Sequence, residues 1–358
     1  MKNALLFVTA LLASILSLSG ESEKAEFDFV EFGKTPILLN GRIKPIDTVA
    51  RTSLRLIHDK QTLRIEEGKL TAIHWLTELL MSPQTANERK IFSIRDPEVV
   101  DLLKLEATKK HNFSYSQILP SFEEIDRQTN LAGAIEGKDR SYFQKNIITL
   151  REKIILYQRL KNSLQPEDSP NFQREVEMFA LSIDPGLEAI EKRETTEGYD
   201  HTAFNQLVAF GNRYQTLEQT AYFFILPPSD FDPKQTKWLN IGEALLRTIA
   251  HKKIHPVVQN YANIIGAYQN EAPESFNQEV SKLLNWYKEV IPSKTRKSQQ
   301  ETFFNSFQPF YWSIVLYVVV FLLACASWLT APKTLGKTAF YLCILAFIIH
   351  TVGLGFRM

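Results

Sequence analysis

The chain has 358 residues, enough for one large or two ordinary domains. Its formal net charge of +1 excludes a global basic field for nucleic acid, and there is no acidic tail. Both cysteines, Cys325 and Cys343, lie in apolar stretches near the C-terminus. The polar middle therefore has no disulfide framework, no CxxC redox or zinc motif and no CxxCH haem-attachment site.

The chain opens on "MKNALLFVTALLASILSLSG". Lys2 supplies a short positive region, residues 4–18 are apolar, and the small residues Ser17 and Ser19 suit a cleavage site. Residues 1–20 thus read as a signal peptide, with an uncleaved anchor helix as the alternative. On either reading, the polar middle of the chain is exported.

Residues 21–300 show helical periodicity almost throughout and divide at "QPEDSPN" into two expected helical subdomains, 21–165 and 166–300. "NGRIKPID" is their most distinctive stretch. Asn40 and Gly41 signal a turn, and Pro45 fixes the chain before a helix for which Asp47 is the expected cap. Arg42 and Lys44 are two apart, so on an extended segment both project from one face, toward haem propionates, an acidic partner or water. Gly41, Arg42, Lys44, Pro45 and Asp47 form a motif whose role the residues do not state.

The expected face of that first helix is Val49, Ser53, Leu56 and Ile57. The next apolar helix runs through Ile73, Leu76 and Leu80 and stops at Pro83. "RKIFSI" suits a short strand, Asp96 and Pro97 suit a helix start, and Ser121 with Glu124 suits a capping box. The longest helix is expected from about residue 140 to 164, with a seam of Phe143, Ile147, Leu150, Ile154 and Tyr157 against another helix of the same domain. A second helical block spans about 172–290, interrupted by "LPPSDFDPKQ". His251 and His255 have the i, i+4 spacing of paired ligands on one helix face. No glutamate stands between them as in HExxH, so a cationic surface helix end is expected. His74, beside Trp75, is expected to top a core face.

Two apolar runs complete the chain. Residues 310–331 carry no charge and are long enough to span a bilayer, with Tyr311, Trp312 and Trp328 near the ends. "PKTLGK" reads as a short turn, and residues 339–356 return. Export of the middle places Lys333 and Lys337 in the cytoplasm and Arg357 on the outer face. Lys294, Arg296 and Lys297, on the outer side, run against the usual cation bias. His350 lies inside the second span, where a polar group is costly and by default marks function. It reads either as an axial ligand of haem iron or as a neutral ring hydrogen-bonding a neighbouring helix. Gly353 and Gly355 would admit a second helix or a flat macrocycle. No hydrolase elbow, phosphate loop or dinucleotide fingerprint occurs.

Taken in order, "ILLNGRIKPIDTVAR", "HWLTELLMSP", "IFSIRDPEVVDLL", "NYANIIGAYQNEAPESFNQEVSKLL", "ETFFNSFQPFYWSIVLYVVVFLL" and "IIHTVGLGFRM" resemble system II cytochrome c biogenesis proteins of the CcsB/CcsA (ResB/ResC) type. The likeness spans nearly the whole exported part and the start of the CcsA-like membrane part. It implies a mainly α fold, an exported helical domain with short strands followed by a two-helix transmembrane hairpin. It also implies haem delivery or presentation to apocytochrome c, at the bacterial inner membrane with the large domain on the periplasmic side. The implied partners are CcsB/CcsA-type membrane proteins, apocytochrome c and membrane lipid, without nucleic acid, and the implied cofactor is haem. His350 matches the histidine and Arg357 the arginine of the family's "HTxGL…R" segment, as an iron ligand and as a propionate or phosphate contact. The tryptophan-rich "WWD" segment of that family is not present, which implies a fragment or a split gene product. On this reading the chain is part of a haem lyase-type cytochrome c synthetase complex, with no catalytic constellation of its own. The alternative is a membrane-anchored exported scaffold or sensor with no haem role.

Overall fold

The computed structural model describes residues 25–66, 68–106, 110–195 and 198–356. The signal or anchor expected at 1–20, and Arg357, lie outside the described residues.

Asn40 and Gly41 both take left-handed backbone, with φ of 52° and 73°. This two-residue turn matches the natural twist of strands. It closes β1 (Pro36–Leu39) on β2 (Arg42–Pro45), antiparallel, with Leu39 opposite Arg42. The other edge of β1 pairs with Phe224: the Leu38 amide donates to the Phe224 carbonyl at 2.9 Å, and the Phe224 amide returns the bond at 3.0 Å. Before the hairpin lies a short helix, α1 (Phe29–Gly33), capped by Asp28. After it comes α2 (Ile46–His58).

The cap of α2 is Pro45, not Asp47. Proline already holds the extended conformation that a cap requires, and Asp47, one residue further into the first turn, spends its carboxylate on Arg51. Val49, Ser53 and Ile57 are buried as expected, but Leu56 is 60% exposed and Leu54 takes its place. A second hairpin, β3 (Thr62–Ile65) with β4 (Gly68–Thr71), leads to α3 (Ala72–Met81) and α4 (Pro83–Asn87). A third pairs β5 (Phe92–Ser93) with β6 (Asn112–Phe113). Between those strands, α5 (Pro97–Leu102) starts where expected, with the Glu98 amide donating to Asp96 at 3.0 Å.

Ser121 and Glu124 form no capping box. Ser121 continues a tight turn at Leu119–Ser121 into α7 (Phe122–Gly133), so it lacks the extended backbone of a cap, and Glu124 pairs with Arg127. The capping boxes are Ser114 with Gln117, opening α6 (Tyr115–Ile118), and Ser141 with Gln144, opening α8 (Tyr142–Lys161). The seam of α8 packs against α7, α2 and α3. Ile147, Leu150, Ile154 and Tyr157 are buried in it. It is not the longest helix: α9 (Phe172–Thr195) has 24 residues against its 20.

The second half continues as α10 (His201–Thr220), α11 (Ile241–His251), α12 (Pro256–Gln269) and α13 (Pro273–Val290). His251 and His255 do not share a helix. His251 ends α11, Lys252 turns left-handed, and His255 caps α12. One apolar cluster extends from Phe32 to Tyr287, with Trp75, Tyr157, Tyr214 and Tyr261 among its fully buried rings.

The chain leaves this body through α14 (Pro292–Phe307), turns at left-handed Gln308, and continues as α15 (Pro309–Leu329) and α16 (Pro332–Gly355). Both last helices are long and apolar enough to cross a membrane, with mean hydropathies of 2.3 and 1.9 over their spanning windows. Their large apolar side chains, Phe321, Leu322, Phe340 and Phe347 among them, face outward. Their shared seam buries small residues: Ser313, Ser327, Ala339, Ala346 and Gly353. "PKTLGK" is already helical, since Pro332 starts α16 and leaves only Thr330 and Ala331 to turn. The protein is mainly α, with short strands and a C-terminal pair of membrane-length helices.

Gly242 packs α11 directly on the end of α10: a Cβ there would lie 2.2 Å from the backbone nitrogen of Glu218. Gly211, inside α10, meets nothing within 4 Å. Gly242→Ala is expected to cost about 3 kcal/mol of stability. Gly211→Ala should instead add up to about 1 kcal/mol by raising helix propensity. Thermal unfolding of the two detergent-purified variants, followed by circular dichroism, checks the opposite signs.

Candidate functional site

Glu301 and Asn305 are four apart on α14, so they share one helix face. That face meets the "GRIKPID" segment. The two carboxylate oxygens of Glu301 accept from Arg42 Nη2 at 2.8 Å and from Thr48 Oγ1 at 2.7 Å. Asn305 Nδ2 donates to Asp47 Oδ2 at 3.1 Å and to Thr48 Oγ1 at 2.8 Å. Asp47, only 4% exposed, accepts Arg51 Nε on both oxygens, at 3.0 and 2.8 Å. Ser298, one turn up α14, donates to the Lys34 carbonyl at 2.8 Å. The first strands of the domain and the helix that leaves it are thus joined by a continuous polar bracket.

The membrane pair attaches directly below. Phe304 of α14 lies 5.7 Å from Phe356 and 6.0 Å from Phe310, ring centre to ring centre. Gly353 lets α16 close on the start of α15: a Cβ there would sit 3.2 Å from Pro309 Cγ. Gly355 faces open space. His350 is half-buried and points across the pair, meeting Phe310 and Tyr317 edge-on at 5.8 and 6.2 Å.

A cavity of about 850 Å³ opens between these parts. Gly41 and Arg42 of the hairpin border it, with Lys294, Lys297, Glu301 and Asn305 of α14, and Phe304 and Phe356 at its membrane end. Of the candidate residues in the sequence, Gly41 and Arg42 reach the cavity, and Asp47 stands behind it in the bracket. Pro45 is buried as the helix cap. Lys44 is half-buried, does not border the cavity and makes no ion pair among the described residues. His350 does not border the cavity either. Sequence reasoning misses Glu301, Asn305 and Phe356 as site residues. The i, i+4 spacing of Glu301 and Asn305 in "ETFFN" is the one signal that could have found them.

Among the described residues, one Ser, Asp and His group invites a hydrolytic reading, which its hydrogen bonds do not support. Ser229, Asp232 and His255 lie close together, with Ser229 Oγ 3.4 Å from His255 Nε2. However, His255 Nδ1 accepts the Val257 amide at 3.1 Å, so in the neutral ring Nε2 carries the hydrogen and cannot take a proton from Ser229. Asp232 is committed to Arg247 at 2.7 Å and to His251 at 3.3 Å. Among the described residues no group of three or more His, Cys, Asp or Glu could hold a metal ion. His58 donates from Nδ1 to the Ile91 carbonyl at 3.0 Å, and His74 stacks on Phe29 at 4.1 Å. Both are held below the ordinary histidine pKa by burial.

Comparison with protein-family models gives no match, and a search of curated proteins gives none either.

Removing the Asp47 carboxylate leaves Arg51 and Asn305 without their buried partner. Asp47→Ala is therefore expected to lose about 3 kcal/mol, read as a lowered midpoint in urea unfolding of the full chain. His255 gives a pH signature. Burial lowers its pKa from 6.5 to about 4, so between those values the unfolded chain binds the extra proton. Its contribution is complete above pH 6.5 and is lost as the pH falls toward 4, amounting to ~3 kcal/mol. Asparagine can still cap α12, so His255→Asn should remove this acid-dependent loss. Its stability at pH 7.5 should be lower, from the packing the ring gives up against Phe231 and Trp286, but its fall toward pH 4.5 smaller than in wild type. Unfolding midpoints of both proteins from pH 7.5 to 4.5 check it.

Proposed function

We propose that this chain is a membrane-bound cytochrome c maturation factor of the system II type, contributing to haem delivery or presentation to apocytochrome c. On this reading its spans lie in the bacterial inner membrane and the helical body faces the periplasm. The supporting observation is that three of the segments carrying the family resemblance meet at one junction. Arg42 and Asp47 of "GRIKPID" bond Glu301 and Asn305 of "ETFFN". The adjoining "PF" and "LY" supply Pro309, Phe310 and Tyr317, which meet Gly353 and His350 of "HTVGLGF".

Haem is the cargo of such a system, and its iron takes imidazole as an axial ligand. Within the described residues His350 supplies one such ring, flanked by Phe310 and Tyr317. One imidazole can hold haem iron, and the remainder of the pocket would come from outside these residues. We therefore assign haem binding to the complex with CcsB/CcsA-type membrane partners, with His350 as this chain's contribution and Arg357 as a propionate or phosphate contact. We assign thioether formation to that complex and its CxxCH acceptor.

The test is the absorption of the complex purified through this chain. The expected result is a Soret band that falls by half or more in His350→Ala while the partners still co-purify. A complex with no Soret band, or with one unaffected by His350→Ala, overturns the haem role of this position and leaves an anchored scaffold.

A further inference from the structure

The cavity beside the bracket has a character that haem transfer does not use. Three cations, Arg42, Lys294 and Lys297, border it against one carboxylate, Glu301. That carboxylate is already committed, one oxygen to Arg42 and the other to Thr48. Lys294 and Lys297 are exposed and make no ion pair among the described residues. The other end of the cavity is apolar: Phe304 and Phe356 close it where α16 ends, level with the start of α15. On the same helix Phe303 and Phe307 stand exposed and stacked, ring centres 5.9 Å apart, immediately before the first span. Just beyond them Tyr311 and Trp312, amphipathic rings of the kind that favour the headgroup layer, are exposed at the start of α15. A cavity of about 850 Å³, with a cationic wall on α14 and an aromatic end at Phe304 and Phe356, therefore adjoins the start of the membrane-length pair.

The geometry points to a binding site for one anionic phospholipid, its headgroup phosphate held by Lys294, Lys297 and the outer N–H groups of Arg42, its acyl chains descending past Phe356 along the membrane pair. Basic pockets against transmembrane helices hold lipid headgroups by this charge complementarity. The assignment also gives a use to lysines that run against the cation bias on the outward-assigned side of the spans. It does not depend on haem chemistry.

The test uses the full-length chain in uncharged detergent, titrated with phosphatidylglycerol and observed by native mass spectrometry. Wild type is expected to retain one lipid at concentrations where phosphatidylcholine gives no adduct. Lys294→Gln/Lys297→Gln should raise half-saturation roughly tenfold or more. Both lysines are exposed, so the fold tolerates their loss, and Lys294→Arg/Lys297→Arg should restore retention. Equal retention by the glutamine variant, or equal binding of phosphatidylcholine, overturns the site. Displacement of the lipid by millimolar inorganic phosphate overturns the lipid assignment in favour of a free-anion site.

Discussion

The carboxylate of Asp47 is the constraint on which the junction depends. It is almost fully buried, and a buried charge is tolerated only when its oxygens are occupied. Arg51 takes both, from one turn along the same helix, and Asn305 bonds one of them from α14. The first bond is local and holds the acid in place. The second is long-range and draws α14 against the body. Thr48 is shared between Asn305 and Glu301, and Glu301 reaches on to Arg42. A displacement of α14 by one residue would break the bonds of Glu301 and Asn305 together, because the i, i+4 face would rotate away.

Everything toward the membrane inherits that fixed position. Gln308 takes the left-handed conformation in which few non-glycine residues settle, and it separates two helices that are otherwise continuous. Its amide still donates to the Phe304 carbonyl at 3.0 Å, so the turn is hydrogen-bonded, not loose. The first span therefore departs at a set angle, and Gly353 seats the second span on Pro309 at its very start. Two chemically different zones result. His350 sits among aromatic rings within the pair, while Arg42, Lys294, Lys297 and Glu301 lie on the body side of Phe356.

Much of the architecture is legible in the sequence. Periodicity of 3.6 locates the helices, Asn40-Gly41 announces its hairpin, and two uncharged runs of bilayer length announce the spans. The misses have physical causes. Asp47 reads as a cap because caps are local signals, yet a proline before it meets that need and an asparagine 258 residues away claims its carboxylate. Spacing puts His251 and His255 on one face only along an unbroken helix, and left-handed Lys252 breaks it between them. Ser121 loses its capping box to a preceding tight turn. The junction itself lies half in view: "GRIKPID" and "HTVGLGF" stand out one by one, but no local pattern says that α14 brings them together.

The bracket also orders events in time. Arg42 finds Glu301 across 259 residues, Asp28 finds Asn277 across 249, and Lys34 receives Ser298 across 264. Contacts of such separation cannot form while the chain is being made, and closing so long a loop is slow. The amino-terminal hairpin is therefore left with polar groups unanswered until nearly the whole body has been made and α14 has emerged behind it. Completion of the body thus waits on α14, and a body that closes this clasp has already made the helix that leads into the membrane-length pair.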